Sequence, residues 1–171
     1  MNETLSATER AVHFGGMVLA HAAFIASDLL EGELICPFAI ITKDDRRQVV
    51  PFEAESQAES VEKGKASLAE FKDQIDYWGF GREGLWSEHG ATDRTDVLIV
   101  SSWTHGMEEP VILMQRFRPA ASGQFLLLGA IDIVLAGEVL ASDVAAPLRV
   151  LASEGIAMHP SQVPWASWQV H

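Results

Sequence analysis

Thr95-Asp-Val-Leu-Ile-Val-Ser-Ser-Trp-Thr104 is followed, after the connection His105-Gly-Met-Glu-Glu109, by Pro110-Val-Ile-Leu-Met-Gln-Arg-Phe-Arg118. Both runs are rich in β-branched and aromatic residues and the connection is short, so they are expected to pair as an antiparallel hairpin. Alternation places Val97, Ile99 and Trp103 on one face and Leu98 and Val100 on the other. In the second run, Val111, Leu113 and Phe117 oppose Ile112 and Met114. A strand apolar on both faces is expected to be covered on both, which puts this hairpin at the centre of a sheet between helices.

The rest of the chain supplies those helices. Ser6-Ala-Thr-Glu9 is a capping box, and the helix it opens is expected to run to about Leu30, with Gly32 as its stop. Its apolar residues span more than one stripe. Gly16, Ala20, Ala23 and Ser27 form a ridge of small residues suited to close packing, either within the chain or against a second subunit. Residues 33–42 and 46–52 read as two strands joined at Lys43-Asp-Asp45. Ser56-Gln-Ala-Glu59 opens a second helix to about Asp76, with Ala58, Val61, Leu68, Phe71 and Ile75 as one apolar stripe. Residues 77–86 read as a strand whose glycines, Gly79, Gly81 and Gly84, suggest bulges or an edge.

Downstream, residues 125–128 read as a strand, and residues 131–140 fit strand or helix equally. A further helix is signalled at Ser142-Asp143, with Pro147 in or before its first turn and Gly155 as its stop. The tail from Met158 holds Pro160, Pro164, Trp165 and Trp168 and is expected to lie extended. Trp165 and Trp168 would anchor it to its own domain or form an exposed interface. The expected fold is α+β: a largely antiparallel sheet of five to six strands with helices on both faces, in the order α-β-β-α-β-β-β-(β)-α. Residues 1–157 would form the domain and 158–171 its tail. The order resembles roadblock and profilin-type modules in topology alone.

Glu33-Leu-Ile-Cys-Pro-Phe-Ala39 after the opening helix, the capped helix from Gln57 to Glu70, and Gln115-Arg-Phe-Arg-Pro119 closing a strand resemble a family of small uncharacterised bacterial proteins. The resemblance covers most of residues 10–130 and brings no functional residue with it.

With 171 residues, 48% of them hydrophobic, the chain has the length and composition of one globular domain. Its 24 acidic and 12 basic residues give a net charge of −12, which disfavours nucleic acid and anionic lipid as partners. The single cysteine, Cys36, excludes an internal disulfide and a thiolate cluster; its apolar surroundings suggest a buried, inert thiol. The N-terminus carries no signal-peptide pattern, and the longest apolar stretch, residues 125–136, is too short to span a membrane, so a cytoplasmic location is expected.

Motifs for chemistry are lacking. His13 and His21 are about 12 Å apart along one helix, too far to share an ion unaided, and no cofactor or metal is expected. Gly79-Phe-Gly-Arg-Glu-Gly84 lacks the spacing of a phosphate loop, and residues 87–96 lack that of a calcium loop. Neither Ser101-Ser102 nor Ser122 has the setting of a hydrolase nucleophile. The most suggestive group is Gln115, Arg116 and Arg118 at the end of a central strand, where the two arginines share a face and could hold a carboxylate or phosphate, with Trp103 nearby. The functional expectation is a non-enzymatic module acting through protein contacts, as a homodimer. Its interface candidates are Gly16, Ala20, Ala23, Trp165 and Trp168. Two alternatives are a binder of a small anion at Gln115, Arg116, Arg118 and Trp103, and an acidic, immunity-type antagonist of a basic partner.

Overall fold

In a computed structural model, which describes residues 5–87, 94–160 and 162–170, a long meandering sheet is built around the expected hairpin. β4 (Thr95–Thr104) and β5 (Val111–Arg118) pair antiparallel, with Val100 opposite Leu113 and Leu98 opposite Gln115. β3 (Tyr77–Trp86) joins the other side of β4, then β1 (Phe38–Lys43) and β2 (Arg46–Pro51) follow outward. On the far side lie β6 (Leu126–Leu135) and the two-residue β7 (Glu138–Val139). The order is thus β2-β1-β3-β4-β5-β6-β7, with β8 (Gln169–Val170) parallel beside β6, and the sheet curls into a half-barrel. The α+β class stands, while the sheet has eight strands rather than five or six. Residues 126–135, which periodicity left open in part, are strand.

α1 (Ala7–Ala26) and α3 (Ser142–Ala157) pack together on one face of this sheet. The capping box of α1 forms as expected: the Glu9 amide donates to Ser6 Oγ at 3.1 Å and the Ser6 amide to Glu9 Oε1 at 3.0 Å. The helix ends at Ala26, short of Leu30, because Ser27 caps it on the Ala23 and Ile25 carbonyls. The small residues of α1 are spent on α3. A Cβ on Gly16 would lie 2.1 Å from the Ala152 carbonyl oxygen, and one on Gly155 would lie 1.8 Å from that of His13. Gly155 is therefore a point of close backbone approach inside α3, not its stop, and Pro147 sits in the second turn rather than the first. Ala20 and Ala23 are fully buried in the same core. The ridge is filled within the chain and is no surface for a second subunit.

The glycines of β3 have a similar use. The register with β4 is unbroken, so the strand is not bulged; β1 pairs with Tyr77–Gly81, while Arg82–Trp86, which includes Gly84, has a described partner only in β4 and is an edge there. A Cβ at Gly79 would meet Val18 Cγ2 at 2.5 Å, and one at Gly81 would meet Phe38 Cζ at 2.6 Å. Neighbouring side chains lie directly on the bare backbone. The irregularity in the sheet falls instead between β5 and β6, near Met114 and Arg116.

α2 (Gln57–Phe71) lies on the opposite face, continued by a 3-10 turn over Lys72–Gln74. Its buried stripe is Ser60, Gly64 and Leu68, four residues apart, and Phe71 from the expected stripe is exposed. Gly64 lets the Phe80 ring approach the helix, and Leu68, Phe80, Phe52 and Ala39 form a second, smaller core there. The strand expected over residues 33–42 begins only at Phe38. Cys36 in the irregular lead-in is exposed, because Ile35 and Pro37 on either side of it turn inward.

The tail is ordered on its own domain. It forms α4 (Gln162–Trp168) and β8 instead of an extended strand, since Pro164 falls in the first helical turn, where a missing amide hydrogen is tolerated. Trp165 is 5% exposed, and Trp168 meets Phe125 edge-on with centroids 5.0 Å apart. Both tryptophans thus face their own chain. No helix among the described residues is long and apolar enough to cross a membrane.

Candidate contact face

The face of the sheet opposite α1 and α3 is only partly covered. α2 shields the end built from β1, β2 and β3. Beyond it, the ladder sets residues of one face side by side: Ser101 with Ile112 and Val134, then Arg82 with Ile99, Met114 and Asp132, then Gly84 with Val97, Arg116 and Leu128. Ile99, Ile112, Met114, Leu126, Leu128 and Val134 are half-buried and belong to neither core. The expectation that both faces of the hairpin lie under helices holds for one face and for only part of the other. Neither core reaches Ile99, Ile112, Met114, Leu128 and Val134, while Val97 in the same rows is 2% exposed.

Two arginines stand in it. Arg82 is half-buried, and burial lowers the pKa of its guanidinium from the ordinary value. Arg116 is half-buried as well; its Nε is shut off from solvent with no hydrogen-bond partner, and a Cβ at Gly129 would come within 2.9 Å of its Nη2. Val97, between Gly84 and Arg116 in the ladder, is 2% exposed. Among the described residues neither arginine has an ion pair; the one such pair is Arg149 with Asp132, at 3.8 Å. Buried guanidinium hydrogens without acceptors are costly, so the strip is better suited to a covered, carboxylate-bearing state than to open water.

The residues singled out from the sequence separate. Arg116 and Arg118 do share this face, but Arg118 is exposed at the strand end and donates to the Gln124 carbonyl at 3.1 Å. Gln115 points the other way, 1% exposed, and its amide nitrogen reaches the carbonyls of Arg116, Leu128 and Gly129 at 2.9, 3.1 and 3.3 Å. It satisfies the carbonyls freed where the register slips, a structural task. Trp103 is on the arginines' face but six residues along the strand from Val97, roughly 20 Å away. It packs against Trp78 instead, and its indole nitrogen donates to the Met107 carbonyl at 2.9 Å. Gln115, Arg116, Arg118 and Trp103 do not make one pocket.

Two titratable pairs escaped the sequence reading. Glu83 and Asp96 face the α1 side and line a cavity of about 250 Å³ with Leu29, Leu30 and Phe117. Burial raises the Glu83 carboxyl, Asp96 adds to the rise, and the Ile35 amide, which donates to Glu83, works against it; burial likewise raises Asp96. A charge at an inward position of an alternating strand was the available signal. The second pair, His21 and His159, joins α1 to the end of α3 through ring nitrogens 3.1 Å apart. Nothing in the spacing of 138 residues could have foretold it.

Burial lowers the pKa of both histidines; for His159 the His21 ring and the Arg47 guanidinium lower it further. A folded-state pKa below the unfolded value near 6.5 means that the unfolded chain binds protons more readily. The pair's contribution is therefore complete above pH 6.5 and is lost as pH falls through the lowered values. Denaturant midpoints of wild type and His159→Gln should converge on acidification from pH 8 to pH 5. A difference between them that stays constant with pH would contradict this. Glu83 and Asp96 act with the opposite sign, and the comparison at fixed pH removes their effect.

No family model, no curated protein and no solved structure matches this chain.

Proposed function

We propose that this protein is a binding module that works by covering the open face of its sheet with another polypeptide, in the first instance a second copy of itself. The observation that supports this reading is the strip Ile99, Ile112, Met114, Leu128 and Val134, apolar and half-buried, with Arg116 inside it, its Nε without a hydrogen-bond partner among the described residues. A contiguous apolar surface of this kind, edged by charge, is typical of an interaction site on a folded domain. A net charge of −12 on each copy opposes association at long range, so the attraction is local, at Arg82 and Arg116, neither of which has an ion pair with a described residue. Arg116 and Asp132 lie on the same face of neighbouring strands, an arrangement that a twofold axis can use twice, each arginine sharing the other copy's aspartate with Arg149, 3.8 Å from it.

Met114→Glu places a charge at the centre of the strip without touching either core. Light scattering should show dimers for wild type at tens of micromolar and monomers for the variant, with unchanged circular dichroism. Wild type monomeric at high micromolar concentration would overturn self-association.

Arg116 also supports a second reading, a small anion held between Arg82 and Arg116. Phosphate or citrate would then raise the melting temperature of wild type and not of Arg116→Met. The acidic-antagonist reading rests on net charge alone.

A further inference from the structure

Separate from the open strip, a cavity of about 280 Å³ lies between the second half of α2 and the hairpin end of β3 and β4. Its apolar wall is Trp78, Phe80, Leu68 and Trp103. Trp78 and Trp103 stack nearly parallel, 18° apart with centroids at 6.3 Å, and so offer a flat aromatic surface. The Trp103 indole hydrogen is already given to Met107, so these rings contribute faces and edges rather than donors.

The polar groups around the cavity are few and unengaged. Lys65 in α2 and Lys72, which caps it and opens the 3-10 turn, stand seven residues apart, and both line it. Neither is in an ion pair with a described residue. Ser101 lines the cavity from mid-strand, half-buried, and its hydroxyl makes no hydrogen bond with the described residues. Its neighbour Ser102, on the other face, is by contrast fixed to the Ala11 carbonyl at 2.6 Å. Glu108 on the opposite rim is the one acidic lining group, against two lysines. The lining therefore carries a local positive balance in a chain whose net charge is −12.

We infer that this cavity is a binding site for a small, flat aromatic carboxylate. Its ring lies against Trp78 and Trp103, and its carboxylate faces Lys65 and Lys72. The size fits a one- or two-ring compound, being just below the usual range for ligand pockets. Apolar walls supply the affinity, and the two ammonium groups choose the anion over a neutral or cationic relative. Ser101 supplies a hydrogen bond at depth. Ile99, Ile112, Met114, Leu128 and Val134 do not line this site, and Ser101 alone of the cavity wall stands beside one of them, Ile112, in the ladder.

The test is a titration of the full chain with 2-naphthoate, its neutral amide and 2-naphthylmethylamine, read by the indole N–H signals of the ¹⁵N-labelled protein. Single Trp→Phe variants assign those signals. Naphthoate should move the Trp78 and Trp103 signals and leave Trp165 and Trp168 in place, binding at least about fivefold more tightly than the amide. Lys65→Ala combined with Lys72→Ala should bring naphthoate down to the level of the amide. Ala69→Phe, at an exposed helix position on the cavity wall, should weaken all binding while the spectrum elsewhere is retained. No shift with naphthoate at low millimolar concentration would overturn the inference. So would an amine that binds as well as the acid, or shifts confined to other tryptophans.

Discussion

Gly155→Ala should destabilise the protein by about 3 kcal/mol or more, although alanine is the better helix former by about 1 kcal/mol. The added methyl would sit 1.8 Å from the His13 carbonyl oxygen, where real carbon contacts do not occur. The obstacle is backbone, held on the α1 side by hydrogen bonding within the helix, so no rotamer change relieves it. The helices must separate. That opens the contact in which Ala20, Ala23, Ala152 and Ile156 are buried. Gly16→Ala meets the Ala152 carbonyl oxygen at 2.1 Å and should act alike. The two together should cost less than their sum, because one separation accommodates both. Denaturant unfolding monitored by fluorescence measures this. Stabilisation by either alanine would mean that α1 and α3 do not approach as described.

Truncation after Ala157 should lower stability by about 3–5 kcal/mol, the range for losing one large buried aromatic. Trp165 is buried at 5% exposure, Trp168 packs on Phe125, and β8 hydrogen-bonds to β6 at Leu127 and Leu128. Phe125 and the end of β6 would be laid open, and the His21 ring would lose its partner. Because the tail docks on its own domain, truncation should leave the oligomeric state of the surviving folded protein unchanged. A truncated chain that is as stable as the whole but has a different mass would make the tail an interface arm.

These two sites also show how far the sequence could be read. The hairpin was legible because alternation over two strands is a strong signal, and both its pairing and its central position follow. The box at Ser6 was legible because capping is local chemistry. Glycine was harder. Gly155 looks like a helix stop and Gly79 like a strand defect, and both are places where a distant segment comes close. Local propensity cannot tell a break from a contact, since the deciding partner lies far away in the chain. Tail and sheet size failed for related reasons. Pro164 reads as a breaker, yet its place in the first turn makes it compatible with helix.

The candidate site was legible in part. Apolar alternation assigns Ile99 and the pair Ile112 and Met114 to strand faces and implies a covering helix over them, but the second core formed under α2 includes none of them. Arg116 was identifiable as a cation on a central strand, but its neighbours were not. Gln115 is adjacent in sequence and opposite in direction, and Arg82 comes from another strand across Ile99 and Met114. The cavity beside Trp78 and Trp103 is lined by Lys65 from α2, Lys72 from the turn after it and two rings from the sheet, a combination no sequence window contains.

Hydroxyl-radical footprinting of the methionines tests the claim about the open face most directly. Met114 lies in the strip, and Met158, 56% exposed at the end of α3, serves as the internal control. Oxidation of Met114 relative to Met158, measured by mass spectrometry from nanomolar to high micromolar protein, should fall severalfold as copies associate. A Met114 that oxidises at the same relative rate over the whole range would contradict the account.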